Sequence, residues 1–173
     1  MSTKEAKEFI DNLDYFNVPV LLFSGGEPLI RDDIYELAEY TAKKGIRPTI
    51  STNGTLITKD VAQRLKDIGV GYVGISFDGM RETHDKFRGK EGAFDKSLEG
   101  LHNCLDVGQK VGLRFTINRR NYQELDDIFD LIEAENIPRA CFYHLVYSGR
   151  GSEMVKEDIS AEESRKVMDL IID

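Results

Sequence analysis

Val20-Leu21-Leu22-Phe23-Ser24-Gly25-Gly26-Glu27-Pro28 joins a short apolar run to two glycines, a carboxylate and a proline. The run reads as a buried strand, and Pro28 leads into what reads as a helix, so the glycines lie where a strand hands over to the loop of a βα unit. In α/β sheets that is the address of a ligand site. Two later strands end comparably, in Ser51-Thr52-Asn53-Gly54 and Ser76-Phe77-Asp78-Gly79, each about one βα unit further on. Three such ends argue for one shared pocket.

Outward from this stretch the chain alternates helical and extended patterns without repeats, which predicts βαβ units, a parallel sheet and the α/β class. Ser2 or Thr3 caps a helix running to about Asn17 that buries Phe9, Ile10, Leu13 and Phe16. A helix over 32–44 carries Asp32 and Asp33 in its first turn and Lys43 and Lys44 in its last, matching the macrodipole, and Gly45 stops it. Strand 47–52 leads to a helix from Lys59, capped by Thr58, facing Val61, Leu65 and Ile68 inward and ended by Gly69. Strand 70–77 precedes a charged, loop-like segment over 78–92. Helix 94–109, strand 111–118, helix 122–135 and strand 139–146 follow. A mobile loop is expected at Ser148-Gly149-Arg150-Gly151-Ser152, then a helical pattern from Ala161. Five parallel strands result, with a β/α core over 1–152 and the start of a C-terminal helical segment over 153–173.

Two strands are apolar on one face only. Val73, Ile75 and Phe77 oppose Gly74, Ser76 and Asp78, and Leu113, Phe115 and Ile117 oppose Arg114, Thr116 and Asn118. If helices cover the apolar side, the small and polar side lines a lumen, as in a partial, open parallel β/α barrel; a closed eight-stranded barrel would fill it with branched residues. An edge strand with one solvated face gives the same pattern.

The composition, 40% hydrophobic and 31% charged, is that of a globular protein, and a net charge of −8 with pI near 5.0 disfavours a nucleic-acid partner. No run is long enough to span a bilayer and the N-terminus lacks a signal-peptide core, so a cytoplasmic location is expected. Cys104 and Cys141 form no C-x-x-C pattern and read as buried thiols. His84, His102 and His144 lack metal-ligand spacing, although His144 on the last strand could contact substrate.

Gly25 and Gly26 permit close backbone approach, and Glu27 could accept from an ammonium group. The same residues also suit a structural turn. Thr52 and Asn53 offer a hydroxyl and an amide for ribose hydroxyls or a carboxylate edge, while Asn-Gly alone can mark a turn. Ser76 and Asp78 lie two apart on one strand end and point the same way. Arg88, downstream with His84, Asp85 and Gly89, could clamp a carboxylate bidentately or simply face solvent.

Gly25-Gly26-Glu27-Pro28-Leu29, Ser51-Thr52-Asn53-Gly54, Ile75-Ser76-Phe77-Asp78-Gly79 and the series His84-Asp85, Arg88-Gly89, Gly92-Ala93-Phe94 together resemble the radical S-adenosylmethionine superfamily over nearly the whole chain. The likeness is to the branch of tetrapyrrole side-chain-modifying enzymes, peptide-modifying enzymes and the molybdenum-cofactor cyclase. Tyr143-His144-Leu145-Val146-Tyr147-Ser148-Gly149-Arg150-Gly151 resembles the tetrapyrrole group. The resemblance implies S-adenosylmethionine and a [4Fe-4S] cluster as cofactors, with Gly25, Gly26 and Glu27 on the methionyl ammonium. It places Thr52 and Asn53 near the ribose or methionyl end, Ser76 and Arg88 at the carboxylate, and Asp78, Thr116 and Asn118 in the pocket. It further implies a 5′-deoxyadenosyl radical that abstracts hydrogen from a tetrapyrrole or peptide, and an electron donor such as ferredoxin or flavodoxin.

The family's C-x-x-x-C-x-x-C motif is absent, and two distant thiols cannot replace it. The expectation is a central fragment of a radical enzyme in haem or tetrapyrrole maturation, with the first strand and its cysteine loop upstream of Met1. As given, such a chain would not perform the radical reaction. The alternatives are a peptide-modifying enzyme, a non-catalytic S-adenosylmethionine-binding module and an αβ-barrel fragment without a ligand.

Overall fold

Residues 1–147 and 149–172 are described by a computed structural model, with the side chains of 149–151 excluded. In chain order the elements are α1 Thr3–Tyr15, β1 Val20–Phe23, α2 Ile34–Lys43, β2 Arg47–Thr52, α3 Lys59–Ile68, β3 Tyr72–Phe77, α4 Arg81–Arg88, α5 Ala93–Val107, β4 Val111–Ile117, α6 Leu125–Ala134, β5 Ala140–His144 and α7 Ala161–Ile172. Short 3₁₀ segments cover Pro28–Ile30, Tyr122–Glu124 and Gly149–Glu157. The expected loop at 148–152 thus includes Ser148, which lies outside the described residues. The chain divides into two compact units, Met1–Ser76 with Asp95–Gly112, and Phe77–Phe94 with Leu113–Asp173.

In the first unit β1, β2 and β3 are consecutive and parallel, with Val20 opposite Arg47 and Thr49 opposite Tyr72. Parallel pairing forces each connection to cross over through a helix, which explains the strand-helix alternation. Ser2 caps α1 in a reciprocal box with Glu5, and the helix buries Ala6 and Ile10 against Leu37 and Ile46, with Leu13, Leu21, Phe23 and Tyr40 at the margin. Burying each of Ile10, Leu37 and Ile46 contributes roughly 1.5–3 kcal/mol. The buried residues are Ala6 and Ile10; Phe9, turned to one side of them, and Phe16, the cap after the last helical residue, remain 48% and 72% exposed, against the expectation that they would be buried.

Helix α2 begins two residues later than the acidic pair suggested. Asp33 makes no cap bond because its carboxylate is held by Arg31, 2.5 Å away, and by the Thr3 hydroxyl at 2.6 Å. Helix α3 matches its reading at both ends, where Thr58 accepts from Val61 N–H and Gly69 stops it in the left-handed region; of the three residues expected inward Leu65 is buried, with Ala62, while Val61 and Ile68 are half-buried.

In the second unit β4 and β5 are parallel, with Arg114 opposite Cys141 and Thr116 opposite Tyr143. Leu113, Phe115 and Ile117 are buried on one face while Arg114 and Thr116 are half-buried on the other, the alternation expected for β4. Phe115 and Phe129 both pack on Phe142, with ring centres 6.0 and 5.4 Å away. The segment over 78–92, read as loop, contains α4, ended by Gly89 in the left-handed region. His84 is the one residue of α4 that is fully buried, so no apolar period advertised the helix. Helix 122–135 begins as a 3₁₀ turn and becomes α-helical at Leu125, and the last strand is shorter than 139–146 at both ends. His144 is solvent-exposed.

Candidate functional site

The strand-end residues of the first unit are organised by one carboxylate. Glu27, at the start of the 3₁₀ turn after β1, accepts Leu29 N–H at 3.0 Å and the Thr52 hydroxyl at 2.7 Å on Oε1, and Asn53 N–H at 2.8 Å on Oε2. Thr52 Oγ1 in turn accepts Gly54 N–H at 3.0 Å. Asn53 Oδ1 closes its own turn by accepting the backbone and hydroxyl of Thr55, and its carbonyl accepts Ser97 Oγ at 2.7 Å. Ser76 is half-buried at the end of β3. A carboxylate offers about four acceptor positions, so three donors leave roughly one, on Oε2.

Gly25 has φ +143°, a conformation side chains rarely adopt, and a Cβ on either Gly25 or Gly26 would meet nothing within 4 Å. Both glycines are exposed, and the side-chain direction of each faces open space rather than a packed neighbour. An exposed two-glycine turn beside a carboxylate with an unused acceptor position fits the aminoacyl end of S-adenosylmethionine.

In the second unit Asp78, 10% exposed, pairs with Arg88, whose Nε lies 2.5 Å from Oδ2 but off the line of a hydrogen bond. Burial pushes the Asp78 carboxyl above its ordinary range, outweighing the downward pull of Arg88. His84 Nδ1 accepts Asp78 N–H at 3.1 Å, which places its proton on Nε2, a buried atom without a hydrogen-bond partner. The ring sits against Phe77 and Phe94 at 5.7 and 5.9 Å, and burial, then Arg88, lowers its pKa to about 4. His84 is thus neutral near pH 7.

Asn118 and Thr116 are arranged around a residue the sequence reading passed over. Asn121, fully buried, donates to the Asp78 carbonyl at 3.1 Å and the Thr116 carbonyl at 2.9 Å, and accepts Asn118 N–H at 2.8 Å. Asn118 itself donates to the Thr116 carbonyl and accepts Arg120 N–H. Glu124 was also passed over; it accepts Met80 N–H at 2.7 Å and the Thr83 hydroxyl, anchoring the start of α4. Gly79, at φ +148°, gives these groups room, since a Cβ there would lie 2.5 Å from Thr83 and 2.6 Å from Glu124. The spacing Asn118-x-x-Asn121-x-x-Glu124 was the available signal, polar residues recurring every three positions where a strand enters a helix.

Among the described residues no group of three or more His, Cys, Asp or Glu side chains could hold a metal ion. Cys104 is buried and its thiol is pushed up to about 12, and Cys141 is a separate free thiol. These residues do not fit the ligand set of an iron-sulfur cluster. No helix among the described residues is long and apolar enough to cross a membrane.

The chain is 61% identical over 173 residues to an Fe-coproporphyrin III synthase of Methanosarcina barkeri, covering all of this chain and 43% of that protein. It is 41% identical over 172 residues to a pre-heme d1 synthase of Dinoroseobacter shibae, covering 99% of this chain and 43% of the relative. The chain thus spans less than half the length of these relatives. Among solved structures, anSMEcpe with bound AdoMet and the Cp18Cys peptide superposes with a TM-score of 0.81 at 18% identity, over 99% of this chain and 51% of that one. That likeness shows the fold, a parallel α/β partial barrel. The profile of the Radical SAM superfamily matches residues 1–132, and the chain belongs to that superfamily.

Proposed function

We propose that this chain is the S-adenosylmethionine-holding core of a radical enzyme that modifies tetrapyrrole side chains. The tetrapyrrole class rests on one observation, the 61% identity along the whole chain to an Fe-coproporphyrin III synthase. Bound S-adenosylmethionine, with a [4Fe-4S] cluster held by other residues, would supply the radical chemistry of hydrogen abstraction. The cluster would need ligands other than the residues described above.

The chain's own groups bind and orient. Glu27 would take the methionyl ammonium on its remaining acceptor position while Thr52 and Asn53 hold its carboxylate still. Gly25 and Gly26 would let the ligand reach the backbone. Asn53 would lie near the ribose. Ser76 would serve the methionyl carboxylate. In the second unit Arg88, whose Nε lies beside Asp78, would offer its terminal nitrogens to a carboxylate. In the second unit Thr116 and Asn118 would offer polar groups to a ligand, and a ferredoxin or flavodoxin would supply electrons.

The test uses the full-length protein containing these residues, reconstituted with iron and sulfide and reduced. Formation of 5′-deoxyadenosine together with a mass change in an added tetrapyrrole is expected. Turnover that requires an added peptide instead would replace the tetrapyrrole reading by peptide modification. Calorimetric titration without binding of S-adenosylmethionine would overturn both.

A further inference from the structure

Arg114 and Tyr143 stand together on the polar face of the β4–β5 pair. The register sets Arg114 opposite Cys141 and Thr116 opposite Tyr143, so these four side chains share one face while Phe115 and Phe142 pack on the other. The Arg114 guanidinium carbon lies 4.6 Å from the centre of the Tyr143 ring. Three other arginines of the unit are paired with a carboxylate, Arg88 with Asp78, Arg119 with Glu163 and Arg120 with Glu157. Arg114 is half-buried and, among the described residues, no carboxylate pairs with it.

A guanidinium drawn partly out of water without an anion is unfavourable unless something else compensates it. Contact with an aromatic face compensates in part and leaves the planar N–H fork open to a carboxylate. Tyr143, 37% exposed, offers a flat apolar surface beside that fork. Cys141 and Thr116 are small enough to leave room next to both. The chain's net charge of −8 repels an anionic ligand at long range, so an anion entering here needs a local cation.

We propose that Arg114 and Tyr143 form a substrate subsite for a carboxylate carried on a planar conjugated ring, the carboxylate on the guanidinium fork and the ring against Tyr143. The assignment rests on the tetrapyrrole reading above. Arg114 is then a specificity-determining residue for the side-chain carboxylates of the macrocycle.

The test is an absorbance titration of the chain with iron coproporphyrin III and with its tetramethyl ester. The wild type should bind the tetra-acid about tenfold or more tightly than the ester, and Arg114→Ala should lose that preference. Arg114→Lys, which keeps the charge and loses the fork, should fall between them, and is a second variant should the alanine form fold poorly. Equal binding of acid and ester by the wild type, or an undiminished preference in the Arg114 variants, overturns the subsite and leaves the tetrapyrrole reading standing. Failure of the wild type to bind either porphyrin overturns both. Loss of S-adenosylmethionine binding in Arg114→Ala, with porphyrin binding intact, overturns the assignment to substrate.

Discussion

Glu27 and Thr52 lock the ends of β1 and β2 together: the Thr52 hydroxyl, buried and 25 residues away in sequence, donates to Glu27 Oε1 at 2.7 Å. The same carboxylate takes Asn53 N–H on Oε2. Glu27→Ala would strand both donors and should lower unfolding free energy by about 2–3 kcal/mol. Glu27→Gln, which keeps one acceptor, should lose less. Urea midpoints decide it, and an unchanged midpoint for the alanine variant would contradict the lock.

His84 should make the fold acid-sensitive. Its pKa near 4 in the folded chain lies below the ordinary 6.5, so between those values the unfolded chain binds a proton that the folded chain refuses. Stability therefore falls as pH drops from 6.5 to about 4, by on the order of 3 kcal/mol for this group. Asp78 acts oppositely: its raised pKa contributes stability at low pH that is lost as pH rises through the folded value. His84→Asn keeps an acceptor for Asp78 N–H and removes the titration. Its stability should depend less on pH across that window, although it starts lower at pH 7 through lost ring packing.

Asn121 satisfies three buried backbone groups at once, so Asn121→Ala should cost about 3 kcal/mol or more. Asn121→Asp has the same shape but turns an acceptor toward the carbonyls of Asp78 and Thr116. It should be at least as damaging at pH 7 and should recover partly on acidification, when the carboxyl can donate. Guanidinium unfolding at pH 7 and pH 4.5 distinguishes the two variants.

Gly100 sits within α5, where alanine ordinarily stabilises by about 1 kcal/mol. A Cβ there would lie 2.3 Å from the Gly54 carbonyl oxygen and 3.1 Å from its carbon, both backbone atoms. Gly100→Ala should therefore destabilise by about 1–3 kcal/mol despite its helix propensity. A raised melting temperature would show that the turn after β2 can retreat.

What was legible in the sequence was local. Extended segments of four to seven residues, capping residues such as Ser2 and Thr58, and stops such as Gly69 act within one or two turns of chain, so their elements emerged close to their expected ends. Phe9 and Phe16 misled because a helix face is chosen by its neighbour, and here Leu37 and Ile46 chose the row through Ile10. Helix α4 was hidden because its one fully buried side chain is a histidine.

The sequence by itself determined the parallel βα order, the three polar strand ends and the absence of cluster cysteines, since each is written in residue type and spacing. Only the tertiary structure decided which groups those ends engage. Glu27 meets Asn53 across 26 residues and Asn121 meets the Asp78 carbonyl across 43. Arg88 is claimed by Asp78, whereas Arg114 is left beside Tyr143. Strand register and helix packing set those distances, and no local pattern in the chain encodes them.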